Sequence, residues 1–91
     1  MEQKAVHVWV SGRVQGVSYR YYTSLKAEEL GIKGWVRNLT DGRVEAWFEG
    51  TEEQLEAMTA WCHQGSPMAA VTHVEQRFKE IQAIKDFQIL R

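Results

Sequence analysis

The chain has one cysteine and one proline in 91 residues. A lone thiol closes no internal disulfide. No apolar run approaches the roughly 20 residues needed to span a bilayer, and the opening Met1-Glu2-Gln3-Lys4 lacks the charged-then-apolar plan of a secretory signal. Linkers, repeats and low-complexity tracts are missing as well. These absences exclude a disulfide-stapled scaffold and a helical membrane protein, and leave a cytoplasmic enzyme or binding module as the expectation.

What is present fits one small domain, residues 1–91, with a single core. Apolar residues make up 44% and charged residues 25%, ordinary values for a globular chain, and the net charge of −1 argues against a general binder of nucleic acid or acidic membranes. The charge is unevenly spread. Residues 1–43 hold seven Lys or Arg against four Asp or Glu, whereas residues 44–91 hold four against eight.

Residues 5–11 alternate Val6, Val8 and Val10 with His7 and Trp9, which predicts a half-buried strand. Further on, Thr23, Ala27 and Leu30 fall at helical spacing, flanked by Tyr22, and Gly31 is a natural stop. Residues 32–39 and 43–49 are rich in branched and aromatic side chains, with Thr40-Asp41-Gly42 as the hairpin turn between them. Thr51-Glu52-Glu53-Gln54 fits a capping box, and Leu55, Met58 and Cys62 form a helical stripe that ends at Gly65 and Pro67. Residues 71–78 and 86–90 read as two closing strands, while residues 79–85, partly apolar through Ile81, Ala83 and Ile84, are assigned to neither. The order βαββαβ with a short extra strand predicts a ferredoxin-like α+β sandwich: an antiparallel sheet with two helices on one face.

The most informative stretch joins the first strand to the first helix: Ser11-Gly12-Arg13-Val14-Gln15-Gly16-Val17-Ser18-Tyr19-Arg20. Two glycines allow a tight backbone turn, and a helix start offers unpaired N–H groups to an anion. Arg20 sets a forked cation at the mouth of the turn. Cations are unfavourable at a helix N-terminus, so an arginine there calls for an anion nearby. If Gln15, Gly16, Val17, Ser18, Tyr19 and Arg20 form a cradle, their amides and the helix dipole converge on one volume, and Arg20 adds a bidentate contact that lysine cannot copy.

Together with Gly34-Trp35-Val36-Arg37-Asn38-Leu39-Thr40-Asp41-Gly42-Arg43-Val44-Glu45 and a closing Phe87-Gln88-Ile89, this segment closely resembles the acylphosphatase family. That family's signatures read G-x-V-Q-G-V-x-[FY]-R and G-W-V-x-N-x-x-D-G-x-V-E, and both occur in order and at the family's spacing. The resemblance covers most of the chain and independently implies the same fold. It implies a hydrolase acting on an acid anhydride, with Arg20 as the phosphate-binding catalytic arginine and Asn38 as the holder of the attacking water. Ser18 stands at the variable loop position and Tyr19 replaces the frequent Phe; neither change removes an N–H group.

The residue chemistry agrees with such a substrate. An acyl phosphate expels a carboxylate whose conjugate acid has a pKa of roughly 4 to 5, so no enzyme acid is needed. A phosphate monoester would call for a general acid, a metal pair or a covalent nucleophile. The chain has no C-x5-R loop, no clustered Asp and His, and no paired Cys. A carboxamide such as that of Asn38 can accept a hydrogen bond from water and donate one to a phosphoryl oxygen, positioning the nucleophile without deprotonating it. The expectation is hydrolysis of the carboxyl–phosphate bond to carboxylate and inorganic phosphate, without cofactor, by a monomer whose ligands are the acyl phosphate and the phosphate product.

Other readings stand beside it. Taken alone, Asn38 would serve the hairpin turn, since Asn is a frequent turn former. Arg37 is expected on the opposite face, in solvent, and Arg13 either adds positive field or is simply solvated. His7, His63 and His73 show no ligand spacing and read as structural or surface residues, so no metal is expected. Cys62 reads as a core thiol. The rival function is single-stranded RNA binding on the same fold, with Trp9 and Trp47 on the face away from the helices; Glu45 and Glu49 share that face and would repel phosphate. A non-catalytic phosphate-binding domain is the third reading.

Overall fold

The valine alternation of the first strand is the axis of the molecule. In the computed structural model, which describes residues 2–91, β1 (Lys4–Arg13) buries Val6, Val8 and Val10 almost completely. Each such side chain contributes about 1.5–3 kcal/mol when withdrawn from water. β1 pairs antiparallel with β3 (Val44–Gly50) on one side and with β4 (Ala70–Lys79) on the other. β2 (Lys33–Asn38) pairs antiparallel with β3, and the short β5 (Phe87–Ile89) adds to β2, giving the order β4-β1-β3-β2-β5.

Register sorts the two faces. Val6 lies opposite Phe48, Val8 opposite Ala46 and Val10 opposite Val44; Gly34 and Val36 meet Phe48 and Ala46 from the other side. This apolar face carries both helices, α1 (Tyr19–Leu30) and α2 (Glu52–Gln64). α1 buries Thr23 and Ala27 as its spacing requires, and Tyr19 extends the stripe one turn earlier. Tyr22, which flanks the stripe, is exposed. Its C-cap Gly31 adopts a left-handed conformation and donates to the carbonyls of Ala27 and Glu28. In α2 the capping box is complete: Thr51 Oγ1 accepts from the Gln54 N–H, and Gln54 Oε1 accepts from the Thr51 N–H. Leu55, Met58 and Cys62 are buried.

Each neighbouring pair among the four long strands is antiparallel, but β5 runs parallel to β2. The reason is the route of residues 80–86. They leave one sheet edge at β4 and reach the other at β5, passing over the face that has no helix. The Glu49 carboxylate, on a residue only 4% exposed, fixes that crossing by accepting from the backbone N–H groups of Gln82 (2.6 Å) and Ile84 (3.1 Å), and also from the Trp47 indole (2.8 Å). The stretch that had no assignment is therefore a strap across the sheet. Beneath it Trp47 is only 7% exposed.

The same face holds an aromatic and charged cluster. The His7 imidazole lies 4.0 Å from Trp9, 5.3 Å from Trp47 and 5.9 Å from Trp35, centroid to centroid, so cross-strand aromatic contact runs through the histidine. Arg37 is on this face, as its position predicts, yet it is not merely solvated. Its Nε donates to Glu45 Oε1 at 2.6 Å, its guanidinium stands over the Trp35 ring, and His7 Nε2 meets Glu45 Oε2 at 2.7 Å. Among the described residues no helix is long and apolar enough to cross a membrane.

Two outcomes follow from this packing. Gly34 has φ of 142°, and a Cβ there would fall 1.7 Å from the Trp47 carbonyl oxygen. Gly34→Ala is expected to cost more than about 3 kcal/mol in urea unfolding, because neither the dihedral nor the central strand can yield. For Glu45, burial alone would raise the carboxyl pKa, but the hydrogen bonds from Arg37 and His7 outweigh it and hold the group below its ordinary 4.5. A depressed folded pKa gives stability that is present above the unfolded value and lost as pH falls through the folded one. Acid unfolding below about pH 4.5 is therefore expected to have a steep limb, and Glu45→Gln is expected to be less stable at neutral pH with a shallower limb.

Candidate functional site

Between β1 and α1 the chain makes a turn in which buried and exposed residues are interleaved. Val14 and Val17 are buried in the core, whereas Gly16 and Ser18 are exposed. The backbone takes φ of 75° at Gly16, between the two valines, and 62° at Ser18, just after the second. The first is natural for glycine; the second is an uncommon conformation for a side-chain-bearing residue.

Distant side chains lock the turn. Gln15 Nε2 donates to the carbonyls of Leu39 (2.7 Å) and Arg43 (3.0 Å), joining the turn to the base of the β2–β3 hairpin. Ser66 Oγ donates to the Val17 carbonyl at 2.7 Å. Tyr19, 2% exposed, sends its ring into the core, where its hydroxyl donates to the Cys62 carbonyl at 2.7 Å. Burial raises the phenol pKa, and burial likewise pushes the Cys62 thiol up to about 12. Cys62 is a core thiol without nucleophilic character at neutral pH.

The start of α1 is electrostatically bare. Ser18 occupies the N-cap without a side-chain cap, and the first turn holds no acidic residue, in contrast with the boxed and doubly acidic start of α2. The first helical hydrogen bond runs from the Tyr22 N–H to the Ser18 carbonyl (3.1 Å), so the N–H groups of Tyr19, Arg20 and Tyr21 precede it. Arg20 Nη1 donates to the Leu90 carbonyl at 3.0 Å. Among the described residues Arg20 forms no ion pair with a carboxylate, whereas Arg37, Arg43 and Arg77 each do.

Asn38 closes β2 on the helix-bearing side, in phase with Gly34 and Val36. Its Oδ1 is buried and has no hydrogen-bond partner among the described residues. The hairpin turn is served by Asp41 instead, whose Oδ1 accepts from the Arg43 N–H at 3.1 Å. A buried acceptor with nothing to accept is costly unless a water or ligand meets it.

A hollow of about 500 Å³ brings Gly16, Ser18, Tyr19, Arg20 and Asn38 together. Of the seven residues proposed from sequence, Gln15 and Val17 do not line it: the Gln15 side chain is engaged by the hairpin and Val17 by the core. Four further residues do, namely Val14, Tyr21, Ile89 and Arg91. Ile89 and Arg91 arrive because β5 runs beside β2 and the Leu90 N–H donates to the Val36 carbonyl (2.8 Å), a pairing with no local signal. A second hollow of similar size lies between α2 and β4; of its charged residues Lys4, Glu52, Glu56 and Lys79, the first two pair with each other at 2.7 Å.

The two Gln15 hydrogen bonds generate a direct expectation. In Gln15→Met, amide exchange in the turn and in the hairpin base should quicken together by roughly tenfold, the loss of about 1–2 kcal/mol of local protection, while α2 keeps its own rate. Hydrogen exchange by mass spectrometry checks it.

Comparison with known proteins meets this geometry. The family model described as Acylphosphatase matches residues 6–89. An acylphosphatase of Syntrophobacter fumaroxidans is 54% identical over 82 residues, covering 90% of this chain and 84% of that one. In structure the chain is similar to an acylphosphatase from Coxiella burnetii, with a TM-score of 0.94 at 39% identity over 97% of this chain and 93% of that one. It is equally similar to the crystal structure of acylphosphatase from Bacillus subtilis, with a TM-score of 0.95 at 34% identity over 97% and 99%. The chain therefore belongs to the acylphosphatase family, enzymes that hydrolyse acyl phosphates.

Proposed function

We propose that the chain cleaves the carboxyl–phosphate bond by gripping the phosphoryl group between the backbone of the Gln15–Arg20 turn and the Arg20 guanidinium, while Asn38 presents the water. The observation that carries this reading is the buried, unpartnered Oδ1 of Asn38 on the same hollow as Arg20 and the uncapped start of α1. Water bonded to that oxygen has its own lone pairs free to meet phosphorus. The hydrogen bond to the Leu90 carbonyl supports the role of Arg20, since it orients the guanidinium before substrate arrives and leaves its remaining N–H groups for two phosphoryl oxygens.

In this mechanism the protein moves no proton to the leaving group. The departing carboxylate is a weak base, and the charge-rich, loose transition state is stabilised by fixed amide dipoles and one cation. Gln15, Val17 and Tyr19 contribute through backbone N–H groups; their side chains keep those groups aimed by holding the hairpin and the core. Inorganic phosphate, as product, is a competitive ligand of the same cradle. The reading takes the enzyme as monomeric and cytoplasmic, to which its single, free and buried thiol is suited.

The test is turnover of acetyl phosphate with chelator present, for the wild type beside Arg20→Lys and Asn38→Ala. Arg20→Lys is expected to weaken phosphate inhibition by roughly 10- to 100-fold, the effect of losing a charge-assisted bidentate contact. Asn38→Ala is expected to lower kcat about 100-fold while phosphate inhibits as before. Hydrolysis no faster than buffer by the wild type, or full turnover by Asn38→Ala, overturns the mechanism.

A further inference from the structure

The phosphoryl end of the hollow is accounted for by Gly16, Ser18, Arg20 and Asn38. Two apolar side chains on the same hollow are not. Tyr21 is 56% exposed and Ile89 is 37% exposed, although Tyr19 two residues before the one and Val36 in register with the other are buried. They bracket Arg20 from two sides: Tyr21 follows it in the first turn of α1, and Ile89 precedes Leu90, whose carbonyl accepts from Arg20. The Tyr21 ring rests edge-on against Tyr22 at 5.6 Å, so it is buttressed on one side and open on the other.

We propose that Tyr21, with Ile89 completing the apolar surface, receives the acyl group and makes the enzyme favour acyl phosphates with planar aromatic acyl groups over short aliphatic ones. This rests on the reading of the site given above. In-line attack sends the leaving oxygen away from the water on Asn38, and Tyr21 stands on α1, the wall that does not carry Asn38. An acyl ring emerging there covers half-exposed aromatic surface, which offset or edge-to-face ring contact rewards. A methyl group is too small to cover much of it.

Steady-state kinetics with benzoyl phosphate and acetyl phosphate test the assignment in the wild type, Tyr21→Ala, Tyr21→Phe and Ile89→Ala. In Tyr21→Ala the benzoyl-to-acetyl ratio of kcat/KM should fall about fivefold, through KM for benzoyl phosphate, as expected for loss of one partly exposed ring contact. Tyr21→Phe should restore the ratio, Ile89→Ala should lower it by a smaller factor, and the inhibition constant of inorganic phosphate, which has no acyl group, should keep its wild-type value in all three. A ratio unmoved in Tyr21→Ala, or one that falls equally in Tyr21→Phe, overturns the role of Tyr21 and leaves the hydrolase reading standing. Failure of the wild type to turn over either substrate overturns that reading as well.

Discussion

Everything at the mouth of this molecule depends on two valines that will not leave the core. Val14 and Val17 are three residues apart and both buried, so the backbone between them bulges outward with a positive φ at Gly16, and a second positive φ, at Ser18, carries it from Val17 to the buried Tyr19. That excursion is what exposes amide hydrogens ahead of α1. Hydrophobic burial thus fixes a polar surface, and the Gln15 bonds to the hairpin base set its distance from Asn38. The geometry owes little to local preference, since a serine in a left-handed conformation is not a local optimum. It is held there from outside.

Much of the fold was legible because its elements announce themselves locally. The Val6, Val8, Val10 alternation, the Thr51 to Gln54 box and the Asp41-Gly42 turn each carry a short-range physical reason, and each stands where the pattern predicts. Long-range pairing was less legible. Residues 79–85 look featureless in sequence because what places them is one carboxylate, Glu49, more than 30 residues away. The parallel β5 and the arrival of Ile89 and Arg91 beside Asn38 follow from the same crossing. Tyr19 has a second role that the loop pattern did not show: it lines the hollow, and its ring is also buried in the core. For Asn38 the residues alone favoured a turn role, and the structure gives that role to Asp41.

The charge asymmetry of the sequence gains a spatial meaning. Arg37, Arg43 and Arg77 are each paired with a neighbouring carboxylate, and Arg20 is held by a carbonyl oxygen, which orients a cation without cancelling it. On the opposite face of the sheet, Glu45 and Glu49 are saturated by donors, and Trp47 lies under the strap. That face, where an RNA-recognition domain would stack bases, is here partly covered by the strap, with the Glu45 and Glu49 carboxylates engaged by donors of the protein itself.

Tyr19 joins the two halves of this design in one residue. Its amide lies in the uncapped start of α1 while its ring packs in the core, with the hydroxyl fastened to the last turn of α2 and Gly65 so close that an added methyl would strike the ring. Rigidity at the centre and readiness at the rim are consequently the same mechanical property. Softening the interior at this point would loosen the turn before α1 as well, because one residue belongs to both.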